Sequence, residues 1–338
     1  MQFQNVRVLG VSHVDAPHRI PSSVLEDRLA PALERLGVQS GLLENLSGIV
    51  ARRWWDEGTQ PSTGAALAAE KVLVDSGIDR SRVGVIINTS VCRDYIEPST
   101  ACIVHAKLGL DPACLNFDLG NACLGFLNAM NLVATMLERG QIEYGLIVDG
   151  ESSQYAVEST IARMLRPETD QRAFRAQFAT LTLGSGAAAM LLGRAESAPD
   201  APRFTGSVSV SATEFHHLCR GQVDYMETDT KQLLFAGLEL ADRTWARAQE
   251  EFGWQADALD EICMHQVSKV HTELLAQRLG LDLDRAVRLY PEFGNVGPAS
   301  VIMVLSKALE QGRIRTGHRV GLLGIGSGLN CSMTEIQW

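Results

Sequence analysis

LGNACLGFLNAMNLVATMLERGQIEYGLIVDGE (residues 119–151) and FGNVGPASVIMVLSKALEQGRIRTGHRVGLLGIGS (293–327) decide the fold, because they read as one unit written twice. Each opens on Gly-Asn, turns, runs along an apolar helix, reaches Leu-Glu-x-Gly-x-Ile and ends in an apolar strand. Helix and strand lengths agree within a few residues, which shared composition alone seldom supplies. The repeat puts Cys123 and Asn295 in corresponding turns of two related halves.

Outward from the repeat, strands and helices alternate. VRVLGVSHV (6–14), VGVIINTSV (83–91), CLNFDL (114–119), YGLIVDG (144–150) and AAAMLLG (187–193) read as strands. SSVLEDRLAPALERLG, STGAALAAEKVLVDSG (62–77) and PSTACIVHAKLGL (98–110) read as helices. Short strands that are apolar throughout and separated by helices predict a parallel sheet covered on both faces. RAESAPDAP (194–202) reads as a link, after which a strand, a long helix (231–253) and the strand LDEICMHQV (259–267) resume the pattern. The expected organisation is α/β, with one half over residues 1–195 and the other over 203–338. The polar, arginine-containing stretch 151–186 is long enough to cover a site.

The 338 residues, 46% hydrophobic and 21% charged, supply a large interior. A net charge of −10 with no lysine- and arginine-rich run argues against a nucleic-acid surface. MQFQNVRVLGVSHVD is not a basic segment followed by an apolar core, and no stretch of about 18 apolar residues occurs. No membrane span is expected. Seven cysteines without a Cys-x-x-Cys pair fit reduced thiols in a cytoplasmic protein.

Polar residues interrupt the apolar pattern at a few turns. Cys123 precedes a buried helix, where the backbone dipoles favour a thiolate; the alternative is a small packed hydrophobe. His265 ends the apolar strand in CMHQVSKVH, and Asn295 stands between glycines in EFGNVGPAS. GIGSGLN (324–330) offers glycine-flanked amides to an oxyanion, or simply makes a tight turn. No P-loop or Gly-x-Gly-x-x-Gly is present, so a nucleotide phosphate site lacks support. His216, His217 and Cys219 have no second ligand pair, so no metal is expected.

Taken in order, these segments resemble the thiolase superfamily, and within it the β-ketoacyl-ACP synthase III branch. GIVARRWW (48–55) is similar to that branch's Gly-Ile-x-x-Arg-Arg segment, and NACLGF to its nucleophile turn. LGSGAAAMLL resembles its Gly-Asp-Gly-Ala-Ala-Ala strand, with Ser185 replacing the usual aspartate. MHQVSKVH, FGNVGPAS and GIGSGLN resemble its histidine, asparagine and C-terminal glycine segments. The resemblance implies a thiolase fold, duplicated halves in a five-layer αβαβα sandwich. It implies Cys123 as the acyl-carrying nucleophile, and the amides of Cys123 and Ser327 as the first oxyanion hole. His265 and Asn295 would hold the second substrate's carbonyl. Arg52, Arg53, Trp54 and Trp55 are candidates for coenzyme A binding. No cofactor beyond coenzyme A thioesters is implied.

One departure points to the substrate. Where decarboxylating synthases carry a large apolar residue before Pro-Ser, CRDYIEPSTA has Glu97. Alone, it reads as a solvated glutamate near a helix start; inside the Cys–His–Asn pattern it reads as a base whose pKa burial would raise. That combination resembles the acyl-CoA condensing enzymes of bacterial long-chain olefin biosynthesis. It implies a homodimer, with Glu97 of the partner subunit taking an α-proton from a second long-chain fatty acyl-CoA. A decarboxylating synthase using malonyl-ACP, and a thioesterase or acyl-binding protein, are the alternatives.

Overall fold

The computed structural model describes residues Met1–Trp338. Its central strands are largely apolar because both of their faces are covered. Along Gly186–Arg194, Ala188, Met190 and Leu192 join one apolar cluster while Ala187, Ala189 and Leu191 join another. That is the two-residue period of a strand with no solvent side.

The first half contributes β1 (Val6–Asp15), β2 (Val83–Asn88), β3 (Leu115–Asp118), β4 (Tyr144–Glu151) and β5 (Gly186–Arg194). The second contributes β6 (Arg203–Ser211), β7 (Glu261–Met264), β8 (Arg319–Gly326) and β9 (Asn330–Gln337). Their spatial order is β3-β2-β4-β5-β1-β6-β9-β8-β7. From the centre outward, each half runs first strand, last strand, next-to-last, then second. Pairing sense repeats as well. β5 is antiparallel to β1 and β4 while β2 is parallel to β4; β9 is antiparallel to β6 and β8 while β7 is parallel to β8. The halves join edge to edge at one pair, Arg7 with Arg203.

The sheet is therefore mixed, not parallel as the apolar strands suggested. Burial on both faces gives the same sequence pattern in either sense. Chain connection decides: β8 returns as β9 through residues 327–329, too short a link for a crossover.

The main helices are α1 (Pro61–Ser76), α2 (Thr100–Leu108), α3 (Gly125–Glu138), α4 (Thr230–Phe252), α5 (Lys269–Leu279) and α6 (Ala299–Glu310). α3 and α6 are the repeated helices, and they fill the space between the two halves of the sheet. Val133 and Leu137 of α3 and Val301 to Leu305 of α6 share one cluster with Ile87, Ile147, Leu192, Val320 and Leu322. A helix apolar on every side belongs in such a central layer. Each large side chain buried there contributes about 1.5–3 kcal/mol. α1 covers the outside of the first half and α4 the outside of the second, which completes the five αβαβα layers. The largest core thus belongs to both halves at once. The stretch after β4 forms helices Gln154–Met164 and Gln171–Gln177, which pack on Ser22–Leu36 through Leu25, Leu29, Val157, Ile161 and Phe174. No helix is long and apolar enough to cross a membrane.

α1 lies directly on the backbone of β4. A Cβ on Gly150 would stand 2.1 Å from the carbonyl oxygen of Pro61 and 2.8 Å from the amide nitrogen of Ala65. Neither backbone can yield, so Gly150→Ala is expected to destabilise the protein by about 3 kcal/mol. A denaturant titration with an unchanged midpoint would refute this close approach.

Candidate active site

Cys123 sits in the turn between β3 and α3, with Ala122 before it in a left-handed conformation (φ 46°). The turn lies against the end of β8. A Cβ on Gly326 would be 3.1 Å from the Asn121 carbonyl oxygen and 3.3 Å from the Cys123 amide nitrogen, so the two backbones touch where Gly326 has no side chain. Ser327 follows in the β8–β9 turn. Outside the helices and strands, neither the Cys123 amide nor the Ser327 amide donates to a backbone acceptor. Two free donors thus stand on backbones in contact, as an oxyanion hole requires.

His265 directly follows β7, its amide bonded to Leu323 O of β8 at 2.8 Å. The imidazole is buried, and its Nδ1 has no partner. With Gly324 and Ile325 of β8 it lines a narrow apolar pocket. Asn295 is reached from the other side. Its backbone pairs with residues 182–184, through Asn295 N to Thr182 O and Gly184 N to Asn295 O, both at 2.9 Å. That pairing needs Gly184, because a Cβ there would lie 1.8 Å from Phe293 O. The Asn295 Oδ1 accepts the Gly297 amide at 3.0 Å, which leaves its Nδ2 as a donor for a substrate.

Burial sets the protonation of this site. It pushes the Cys123 thiol up to about 12, assisted by the carboxyls of Glu151 and Asp149. The helix dipole was expected to favour a thiolate; desolvation outweighs it. Cys123 therefore rests as a thiol. Burial also drives His265 down to about 3, so its imidazole is neutral at working pH. Asp149 and Glu151 are both raised by desolvation.

Glu151 is the functional-site residue that sequence reasoning missed. Its carboxyl accepts the Val91 amide at 2.7 Å and the Cys92 amide at 3.2 Å. A Cβ on Gly297 would lie 3.2 Å from its Oε1. It therefore stands between the Asn295 loop and the loop that carries Glu97. The signal available was a pair of acids, Asp149 and Glu151, closing an otherwise apolar strand, YGLIVDGE.

Glu97 itself is exposed. The burial expected to raise its pKa is not supplied by its own chain, because it rides a projecting loop. Both ends of that loop are pinned by carboxyls. Glu151 holds residues 91 and 92, and Asp118 accepts the amides of Thr100 and Ala101 at 3.0 and 2.8 Å. Between them Asp94 accepts the Ser62 amide at 2.9 Å. Tyr95, Ile96 and Glu97 are left projecting, with Ile96 88% exposed.

The 52–55 segment does not present a coenzyme A surface. Arg52, Trp54 and Trp55 are buried. Arg52 donates to Ser22 Oγ at 3.1 Å, and burial brings its guanidinium down to about 10. Trp55 Nε1 donates to the Glu151 carbonyl at 2.9 Å and so supports the site from behind. Arg53 is partly exposed and lies over the Phe293 ring, 5.2 Å from its centroid. Both faces of this short strand are covered, so its large residues are buried where candidates for coenzyme A binding had been expected.

A duplicated α/β sandwich with a cysteine in its strand-to-helix turn is the fold of a thiolase-type condensing enzyme. The chain matches the family 3-oxoacyl-[acyl-carrier-protein (ACP)] synthase III over residues 117–208 and that family's C-terminal part over 249–338. It is 49% identical over 338 residues to the acyl-CoA:acyl-CoA alkyltransferase of Xanthomonas campestris pv. campestris, covering 100% of both chains. It is 36% identical over 350 residues to the Shewanella oneidensis protein of the same name, again covering 100% of both. The chain belongs to the acyl-CoA:acyl-CoA alkyltransferase (OleA) family. A crystal structure of Xanthomonas campestris OleA with bound lauric acid and lauroyl-CoA superposes with a TM-score of 0.97 at 48% identity, covering 99% of this chain and 100% of that one. The cerulenin-bound form gives 0.98 at 49% identity, covering 100% and 98%.

The neutral His265 makes a pH prediction. An imidazole at about 3 when folded and 6.5 when unfolded refuses protons that the unfolded chain accepts. Its contribution is fully present above the unfolded value and is lost as pH falls toward the folded one. From pH 7 to pH 5 the loss is about 2 kcal/mol. Glu151, held above its usual range, works in the opposite sense, so the comparison must be with a variant. The stability of the unmodified protein relative to His265→Asn should fall by that amount between pH 7 and pH 5 in urea titrations. A pH-independent difference would show that the imidazole is not held neutral.

Proposed function

We propose that the protein joins two long-chain fatty acyl-CoA molecules by Claisen condensation without decarboxylation. The products are a 2-alkyl-3-oxo fatty acid and two CoA, which would make this the first step of long-chain olefin biosynthesis. The observation that carries the reading is Cys123 set between free amides, in a chain alignable end to end with acyl-CoA:acyl-CoA alkyltransferases. In solved Xanthomonas campestris OleA variants the substituted glutamate, cysteine and histidine are 26 and 142 residues apart, the separations of Glu97, Cys123 and His265 here. That spacing supports assigning roles to these three.

The steps balance as follows. Cys123 sulfur attacks the first thioester, its proton goes to the departing CoA thiolate, and the amides of Cys123 and Ser327 hold the oxyanion. Glu97 of the partner subunit removes an α-proton from the second acyl-CoA, whose carbonyl takes donors from His265 and Asn295. The α-carbon attacks acyl-Cys123 and expels the Cys123 thiolate, which regains a proton as Glu97 gives up the one it removed. Water then hydrolyses the remaining CoA thioester to the β-keto acid.

A homodimer is part of this reading. β3 is an edge strand with Leu115 53% exposed, on the same side of the sheet as the loop bearing Val91, Tyr95 and Ile96. An open edge beside exposed apolar side chains favours pairing with another chain. Among the 52–55 candidates, Arg53 alone is retained for coenzyme A.

Incubation with one saturated acyl-CoA separates the alternatives. Coupled product is expected; free fatty acid alone would mean a thioesterase, and unchanged thioester would leave the malonyl route or simple binding. Glu97→Gln should acylate Cys123 and then stall, with α-deuterium exchange lost. Mixed dimers of Cys123→Ser and Glu97→Gln subunits should recover up to half the activity, since one site then has both residues. Failure of these mixed dimers to recover would place base and nucleophile on one chain.

His265→Ala and Asn295→Ala should load Cys123 at a near-normal rate and slow condensation by about 100- to 1000-fold. Mass spectrometry of acyl-Cys123 and product assay read the two steps separately. Wild-type condensation in either variant would make that residue structural.

A further inference from the structure

Beside the nucleophile turn, four side chains form one run of hydrogen bonds. Ser211 Oγ donates to Asn330 Oδ1 at 2.7 Å, Asn330 Nδ2 to Asn121 Oδ1 at 3.2 Å, and Asn121 Nδ2 to Asn128 Oδ1 at 2.6 Å. Every bond points the same way, so each amide polarises the next. Asn121 belongs to the turn that carries the Cys123 amide. Asn330 pairs with Gly326 across the hairpin that carries the Ser327 amide. The central bond therefore joins two segments 209 residues apart, one from each half of the chain.

Both segments need such a tie. The turn holds Ala122, a residue with a side chain, at φ 46°, and the hairpin is Gly-Ser-Gly. Glycines admit the amide: a Cβ on Gly328 would lie 2.6 Å from Asn330 Nδ2. Glycine-rich backbone that makes room for a side chain is also free to shift when that side chain is removed. An oxyanion hole acts only when both donors aim at one point, and a misplacement of about 1 Å costs on the order of 100-fold in rate.

We propose that the Asn121–Asn330 contact is a positioning device for the first oxyanion hole, fixing the Cys123 amide relative to the Ser327 amide. The proposal rests on the reading of Cys123 as the acylated nucleophile. The hole is used when Cys123 is acylated and again when the α-carbon attacks. It is not used in α-proton removal, where His265 and Asn295 face the carbonyl. Asn121 and Asn330 therefore act on one set of steps and spare the other.

Asn330→Ala, Asn121→Ala and the double variant test this with saturated acyl-CoA. The readouts are the burst of CoA with acyl-Cys123 by mass spectrometry, the half-saturating concentration, and α-deuterium exchange on enzyme already acylated. Asn330→Ala is expected to slow acylation about tenfold, at unchanged half-saturation and unchanged α-exchange. The double variant should be no slower than the slower single one, because either substitution opens the same contact. Wild-type acylation in Asn330→Ala would overturn the proposal. Equal slowing of acylation and exchange would also overturn it, since that marks general loosening. If Asn330→Ala does not fold, Ser211→Ala removes only the outermost bond and should slow acylation about two- to threefold; wild-type acylation there would be equally fatal. No acyl-Cys123 in the unmodified protein is a different result, and it would remove the parent reading as well.

Discussion

The site exists because the two halves of the chain touch backbone to backbone, and glycine is what permits it. Gly326 lets the end of β8 rest on the Cys123 turn, with Asn121 O 3.1 Å from where a Cβ would be. Gly184 does the same for the Asn295 loop, at 1.8 Å from Phe293 O. Each contact brings a main-chain or side-chain donor from the second half against an element of the first. A methyl group at either place would force the two backbones apart. The duplicated sheet and the shared α3–α6 layer keep those contacts in register, because neither helix can move without opening a core common to both halves.

Such close contact has an electrostatic consequence. Burial favours neutral forms, and the buried groups here comply: a thiol at Cys123, an uncharged imidazole at His265, carboxyls raised at Asp149 and Glu151. That environment suits uncharged thioesters and strengthens every donor aimed at a developing oxyanion. It does not suit a carboxylate base, which would sit protonated. Glu97 stays outside that environment in its own chain, on a loop that projects from it.

The repeat was legible because it is a matter of period and length, and both survive in one sequence. L-E-x-G-x-I closes α3 and α6, and the strands that follow, Tyr144–Glu151 and Arg319–Gly326, each have 8 residues. Cys123, His265 and Asn295 stood out as polar interruptions of apolar runs. Strand sense was not legible, since burial on both faces erases the difference. Arg52, Trp54 and Trp55, named through resemblance, are buried because the fold covers both faces of their segment, which residue type alone does not show. Asn121 and Asn330 look like ordinary turn asparagines; only the fold shows one reaching the other. The thiolate expectation met a related obstacle, because a helix start is visible in sequence and the burial that outweighs it is not.

Glu151 shows how far one such invisible contact extends. Its backbone carbonyl takes the indole of Trp55, its carboxyl takes the amides of Val91 and Cys92, and its side chain packs on Gly297 next to Asn295. The carboxyl therefore meets the Glu97 loop on one side and the Asn295 loop on the other. If it ionises, it gains strength as an acceptor for the two amides but adds charge beside the thiol. If it stays protonated, the amides keep one acceptor oxygen and Cys123 loses its proton more easily. Burial pulls Glu151 toward the second state, up to about 7, while the Val91 and Cys92 amides, one on each carboxyl oxygen, pull it toward the first. The same acid is thereby balanced between holding the loop and sparing the Cys123 thiol a neighbouring charge.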